Sequence, residues 1–319
     1  MSYNPEILVA PKDLHEIPLL AEAGANAFVI GDARFALALR GDFSVDEMTA
    51  FVNSTKELGQ RVYLLIDAIF PNQLLEELAL FLPEVAHIPF NGVRVADLGA
   101  MMLIKKILPL MPIHFVDAMM LTNSFTVNYW AKRGAKRVRL AHELTLDEVL
   151  AIKQDAKCEI ELLVQGAPLM FTSRRRLIDN YLDFQRRFGS KDITIKTDDN
   201  FLYDAERDLY YPIIENAHGT HIYGGNDVCM IDDLTQIAHV GIDSLYIEGY
   251  TYDKTEDLVA VINLYKMGIE LINMEPEKYQ KAGTALYAEV VKYQGANRQT
   301  DRGFYYKPTI YKNKSGDER

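Results

Sequence analysis

Gly134-Ala-Lys-Arg-Val-Arg-Leu-Ala-His-Glu-Leu-Thr-Leu-Asp-Glu148 carries one complete structural unit. Gly134 closes the helix predicted over 123–132, because glycine suits the left-handed backbone at a helix end. Residues 137–140 read as a short strand. Thr145-Leu-Asp-Glu148 is then a capping box for a helix over 146–154. Its hydroxyl accepts from an early backbone N–H while the glutamate reaches back to the cap.

The same alternation runs outward from this unit. Upstream, strands are predicted at 6–10, 27–30, 61–66, 92–96 and 113–116. Helices at 16–23, 44–58, 73–81, 98–108 and 123–132 lie between them. Pro18 fits the first turn of the opening helix and places its start near Glu16. Ser44-Val-Asp-Glu47 is a second capping box, and Gly24 and Gly241 end helices as Gly134 does. Downstream, strands follow at 159–164 and 244–247. Short apolar strands alternating with helices imply a parallel sheet covered on both faces. About eight such units close a (β/α) TIM-like barrel, the fold expected here. A doubly wound open sheet uses the same units.

The segment 173–212 breaks the rhythm. It is charged, rich in aromatics and longer than an ordinary α/β connection. It is expected as an insertion after the seventh strand, at the barrel mouth. The domain reading is a barrel over 1–272, insertion included, followed by a C-terminal helix and polar tail over 273–319. Residues 312–319 are expected to be disordered.

Composition narrows the function classes. No run of about 18 apolar residues exists, so no membrane span is expected. The N-terminus lacks the basic-then-apolar pattern of a signal peptide. Two cysteines in 319 residues do not make a disulfide framework. Together these features favour the cytoplasm. A net charge of −11 argues against indiscriminate nucleic-acid binding. Residues 131–191, however, hold 13 Lys+Arg against 8 Asp+Glu, a net of +5 that leaves −16 for the remainder. That basic island could meet a phosphate backbone or an acidic partner, or form a solvated face.

Candidate chemistry clusters in two places. In a barrel the strand C-termini form the working face, which here presents Asp67, Asp97, Asp117, His142, Glu143, Gln165 and Glu248. Converging carboxylates can raise one another's pKa and supply a general acid or base, or coordinate a hard cation. Acids at these positions equally suit capping of the following helices. The second place is His218-Gly-Thr-His-Ile-Tyr-Gly-Gly-Asn-Asp-Val-Cys229, whose glycines predict a loop or tight hairpin. Two histidines three apart lack the further ligands of a zinc site. Arg174-Arg-Arg176 offers rigid forks for a carboxylate or phosphate. No G-x-S-x-G, H-E-x-x-H, P-loop or G-x-G-x-x-G is present.

Several of these stretches resemble the U-thirty-two (collagenase-like) peptidase family. They are Pro5-Glu-Ile-Leu-Val-Ala-Pro11, Ala23-Gly-Ala-Asn-Ala-Phe-Val-Ile-Gly31 and Gly134 to Leu144. His218-Gly-Thr-His-Ile222, Asn226-Asp-Val-Cys-Met-Ile-Asp232, Gly241-Ile-Asp-Ser-Leu-Tyr-Ile-Glu-Gly249 and Asn297-Arg-Gln-Thr-Asp-Arg-Gly-Phe304 complete the set. The resemblance covers nearly the whole chain and also implies a barrel. Cluster-bearing members use four cysteines, two of them in V-H-G-A-x-C-M-x-x-S-x-R-C. Here that stretch reads Val164-Gln-Gly-Ala-Pro-Leu-Met-Phe-Thr-Ser-Arg-Arg-Arg176. Gln165 replaces the histidine, Leu169 and Arg176 replace two cysteines, and Cys229 alone remains. One thiolate cannot hold such a cluster, so no iron–sulfur cofactor is expected. Cys158 reads as a small buried residue.

The resemblance implies a role in tRNA wobble-uridine hydroxylation, a process linked to prephenate. The chain is expected to be the cluster-less member of a pair with a Cys-bearing paralogue. It would bind tRNA or that partner through the basic island. Catalytic candidates are His142, Glu143, Gln165, His221 and Glu248. Substrate-binding candidates are Arg174, Arg175, Arg176 and His218. No metal is assigned. Two alternatives stay open: a peptidase or other hydrolase using Cys229 or a metal near His218 and His221, and a non-catalytic partner subunit. A homo-oligomer is compatible with either.

Overall fold

Eight parallel strands close into a barrel in the computed structural model, which describes residues 2–37, 39–117, 119–188, 201–252, 254–295 and 298–307. In chain order the first seven are β1 (Glu6–Val9), β2 (Ala27–Ile30), β3 (Arg61–Ile66), β4 (Gly92–Val95), β5 (Ile113–Phe115), β6 (Ala135–Arg139) and β7 (Glu159–Gly166). Between them run α1 (Glu16–Ala23), α2 (Val45–Glu57), α3 (Asn72–Val85), α4 (Leu98–Ile107), α5 (Ser124–Lys132) and α6 (Leu146–Asp155).

After β7 the chain leaves the barrel. It forms β8 (Leu169–Ser173), α7 (Leu177–Phe188), β9 (Phe201–Asp204), β10 (Leu209–Asn216) and β11 (Gly219–Tyr223). These four strands make a separate antiparallel sheet in the order β8-β11-β10-β9. This excursion contains the 173–212 segment. The chain then returns through β12 (Asn226–Cys229), α8 (Leu234–Val240) and β13 (Ser244–Ile247). β13 pairs in parallel with both β7 and β1, and that double pairing closes the barrel. The long α9 (Thr255–Met274) and α10 (Pro276–Val290) follow, and β14 (Gln299–Asp301) adds to β12 outside the ring. The polar tail over 312–319 lies outside the described residues.

Local chemistry explains the elements. Both predicted capping boxes form, at Ser44 with Glu47 and at Thr145 with Glu148; each cap contributes about 1 kcal/mol. Gly24, Gly134 and Gly241 all follow helices with positive φ. Asp97 caps α4 through its carboxylate to the Ala100 N–H. Asp67 and Asp117 do not cap helices: Asp67 accepts from the Leu37 N–H and Asp117 from Met119 and Met120.

Apolar residues divide into two shells. The larger lies between the strands and their helices and includes Ile7, Val9, Phe28, Ile30, Leu64 and Val93. A smaller one fills the barrel with Leu8, Ala27, Val29, Tyr63, Leu65, Leu163 and Tyr246. Period-2 alternation along each strand produces this division.

One expectation for 218–226 fails. Gly219–Tyr223 is a strand, and Gly224-Gly225 does not join it to β12 as a hairpin. β11 pairs with β8 and β10, whereas β12 pairs with β7 and β14. Pairing with β8 and β10 makes Thr220-His-Ile-Tyr223 a strand, and the two glycines mark where the chain passes between sheets. The basic island also dissolves, because its members point in different directions. Arg137 is buried inside the barrel while Arg174, Arg175 and Arg176 are exposed on the excursion.

Candidate functional site at the barrel mouth

The barrel interior is charged as well as apolar. Arg94 on β4 makes a two-pronged ion pair with Glu161 on β7, at 2.5 and 2.7 Å. Arg137 on β6 bonds Glu6 on β1 and, at 2.7 Å, Glu159. Tyr63 donates to Glu6 at 2.7 Å and Ser244 does so at 3.2 Å. Burial alone would raise the Glu161 carboxyl, but Arg94 and Arg137 outweigh it and hold it at about 2. His114 lies beside these arginines; burial first, then Arg137 and Arg94, keep its imidazole neutral with a pKa of about 2.

Towards the strand C-termini this network gives way to a second group. The Tyr246 ring lies between two guanidinium groups, Arg94 at 5.3 Å and Arg139 at 5.5 Å, a cation–π arrangement. Tyr223, from the excursion sheet, stacks on Tyr250 with centroids 5.6 Å apart and planes 5° from parallel. Glu248, just after β13, is buried beside them. Its Oε1 accepts from the Tyr250 N–H at 2.8 Å, and its Oε2 has no hydrogen-bond partner. Burial pushes its carboxyl up to about 8. Burial likewise raises Asp67, against the Leu37 N–H bond and Arg139. Both carboxyls act electrostatically on Tyr223, as does Tyr246.

Gly166 makes this packing possible. Its φ is +106°, and a side chain there would put Cβ 2.3 Å from the Glu248 carbonyl oxygen. Only glycine lets β7 approach the Glu248 backbone so closely.

The sequence-selected residues fall in different places. Glu248 is at the mouth. His142 is buried just past β6, where burial, then Arg139, lowers its imidazole to about 4. Glu143 beside it is exposed. Gln165 turns away from the mouth: its amide donates to Tyr252 at 3.0 Å and accepts from Tyr265 at 3.3 Å, within the helix layer. His221 is buried in the excursion sheet between Thr172, at 2.8 Å, and Asn216, at 3.2 Å. His218 reaches across to the Ala33 carbonyl at 2.6 Å. Arg176 pairs with Asp179 at 3.0 Å and Glu215 at 3.5 Å.

Arg94, Arg139, Tyr223, Tyr246 and Tyr250 were not selected from sequence. A signal for two of them existed. Arg94 in Val93-Arg-Val95 and Arg139 in Arg137-Val-Arg139 alternate with apolar residues, which puts charge on one face of a strand.

Cys229 is not at the mouth. It is fully buried against Tyr265, and burial pushes its thiol up to about 12. Such a thiol is inert as a nucleophile. Among the described residues no three His, Cys, Asp or Glu side chains converge as metal ligands. The residues aligned with the cluster cysteines, Leu169, Arg176 and Cys229, do not fit a four-thiolate centre. A hollow of about 360 Å³ lined by Asp233, Arg302, Gly303, Tyr306 and Lys307 lies on the C-terminal segment. Arg302 is already paired there with Asp232 and Asp233, and none of these residues belongs to the mouth.

The mouth therefore combines the Arg139 guanidinium, two carboxyls of raised pKa, Glu248 buried and Asp67 half-buried, and three tyrosines. A carboxyl that titrates near neutrality can give or take a proton. The Arg139 guanidinium can hold an anion, and the exposed Tyr250 ring can hold a planar group.

Comparison with known proteins assigns the family. The chain is 36% identical to tRNA hydroxylation protein P2 of Bacillus subtilis (strain 168) over 308 residues, covering 97% of this chain and 99% of that one. It is 26% identical to tRNA hydroxylation protein P of Escherichia coli (strain K12), covering 78% of this chain but 64% of that one. Among solved structures it resembles the U32 peptidase Mk0906 with a TM-score of 0.46 and 15% identity, covering 78% of this chain and 94% of that one. Residues 12–314 match the model of peptidase family U32, and the chain belongs to that family.

Proposed function

We propose that this chain acts in tRNA modification, as a component of wobble-uridine hydroxylation in the cytoplasm. The observation that carries the reading is the end-to-end match to tRNA hydroxylation protein P2, 97% of one chain on 99% of the other. The mouth is compatible with it, since it offers proton transfer at Glu248 and an exposed ring at Tyr250. No helix among the described residues is long and apolar enough to cross a membrane. Peptide hydrolysis receives no support, because Cys229 is buried and, among the described residues, no metal ligands converge.

The chain works without a cluster of its own and beside a Cys-bearing paralogue. Two observations support this finer reading: the missing cysteines, and the existence in one organism of relatives named P1 and P2. The chain matches P1 over only 65% of that protein's length but P2 over 99%. The test is mass spectrometry of tRNA nucleosides from a deletion strain, with and without the gene restored. Loss of the hydroxylated wobble uridine, recovered by the wild-type gene, is expected. An unchanged nucleoside profile would overturn the reading.

A further inference from the structure

We propose that the exposed face of the excursion sheet, bearing Phe201, Tyr203 and Tyr210 and leading towards the barrel mouth, where Tyr250 stacks on the buried Tyr223, is a stacking platform for unpaired bases of single-stranded RNA. This rests on the tRNA reading above and adds where the RNA lies.

Strand register places the rings together. Tyr203 and Tyr210 are cross-strand partners, as are Phe201 and Pro212. Tyr210 stacks on Tyr203 at 4.7 Å and meets Phe201 edge-on at 4.8 Å. The three rings thus share one face, and they are 51%, 52% and 39% exposed for Phe201, Tyr203 and Tyr210. Contiguous apolar patches of this size are often functional. α7 does not lie on this face. Its first turn is tied to Thr220 and Glu215, which alternate with His221 and Ile214 and so point to the opposite side.

The same face leads to the mouth. Ile213 pairs with Ile222, so continuing the register by one residue sets Pro212 opposite Tyr223. Phe201, Pro212 and Tyr223 then form a row across three strands. At about 4.8 Å per strand, Phe201 stands about 10 Å from Tyr223. A strand of nucleotides stacked on the outer rings would therefore deliver its next base towards Tyr250, the exposed ring beside Tyr223 and Glu248.

Magnitudes favour bases over a protein partner. Three half-exposed rings, at about 200 Å² each when fully exposed, offer about 300 Å². A stable protein interface needs about 800 Å² per partner. Base–aromatic stacking needs only one ring face per base. The turn between β9 and β10 carries Asp204, Glu206 and Asp208 against Arg207, so attraction to phosphate is weak there and stacking must supply the affinity. Phosphate contacts fall instead to Arg174 and Arg175, exposed beyond β8.

The test uses the full chain and two fluorescent RNAs: a hairpin with a seven-nucleotide loop, and the same stem as a fully paired duplex. Tyr203→Ala/Tyr210→Ala is compared with Tyr203→Phe/Tyr210→Phe, with melting curves confirming that both fold. Loop binding should weaken by about 5- to 140-fold for each base lost from an aromatic ring. The Phe pair should retain it, and duplex binding should not change. Ultraviolet cross-linking of the wild-type chain should also map to Phe201, Tyr203 or Tyr210, which serves if the Ala variant does not fold. Equal binding by wild type and the Ala pair overturns the platform while leaving the tRNA reading intact. Equal loss in the Ala and Phe pairs also overturns it, since that would point to the Tyr203 hydroxyl bond to Asp208. A wild-type chain that binds no loop RNA overturns it too, and the nucleoside profile then decides the tRNA reading separately. A protein partner lost from the Ala pair with RNA binding unchanged would assign the face to that partner instead.

Discussion

Replacing Glu248 by Gln should stabilise this protein increasingly as pH rises, with the effect read as a slope. The carboxyl is buried, one oxygen lacks a partner, and its pKa rises from an ordinary 4.5 to about 8. Because the folded value lies above the unfolded one, the unfolded chain ionises first. The stability this group supplies is present below pH 4.5 and is lost progressively up to about pH 8. At 1.36 kcal/mol per pH unit the penalty is below about 1 kcal/mol at pH 5, about 3 at pH 7 and about 4–5 above pH 8. Gln keeps the volume and the acceptor for the Tyr250 N–H but cannot ionise. Its extra N–H₂ costs about 1–3 kcal/mol if unpaired, independent of pH. The assay is urea unfolding of both proteins at pH 5, 7 and 8.5. The variant should gain about 4 kcal/mol on the wild type across that range. Every other titrating group is common to both proteins and cancels. Parallel stability curves would refute the argument, and would mean that water or a cation reaches Glu248.

Four further outcomes follow from the same geometry. Arg94→Met should cost about 3–5 kcal/mol, because it leaves Glu161 charged and unpaired in the barrel, and Arg94→Met/Glu161→Met should recover most of that loss in urea unfolding. Cys229 should resist a thiol reagent at pH 8 until the chain is unfolded, as a buried thiol raised to about 12 demands; rapid labelling of the native protein, located by peptide mass spectrometry, would contradict its placement. The chain purified without a partner should be colourless and carry no stoichiometric iron by metal analysis, since one thiolate cannot hold a cluster. Replacing Arg174 and Arg175 by Ala should weaken tRNA binding and flatten its salt dependence with the fold unchanged, as seen in titrations at two salt concentrations.

The sequence by itself determined the barrel's parts. All eight strands of the ring and its first six helices were legible, because each is announced locally: Ser44 and Thr145 by their hydroxyls, Gly24 and Gly134 by a backbone only glycine adopts cheaply, the strands by short apolar runs. It also determined that the chain has only two cysteines, fewer than a four-thiolate cluster needs. Closure was different. A parallel strand at 244–247 looks the same in an open sheet, and only its simultaneous pairing with β1 and β7 makes a ring. The excursion sheet was hidden for a related reason: antiparallel partners such as β8 and β11 lie about fifty residues apart, and no local signal records their register. The mouth was half visible. Glu248 could be named from its place after a strand, but its raised pKa comes from burial that tertiary packing alone produces. Gln165, one residue along a strand from the expected direction, faces Tyr265 instead, because a register shift where β13 meets β7 changes which side a residue faces. Local chemistry writes the elements into the chain. Which side chains share a cavity depends on contacts between residues far apart in sequence, and those exist only once the ring is closed.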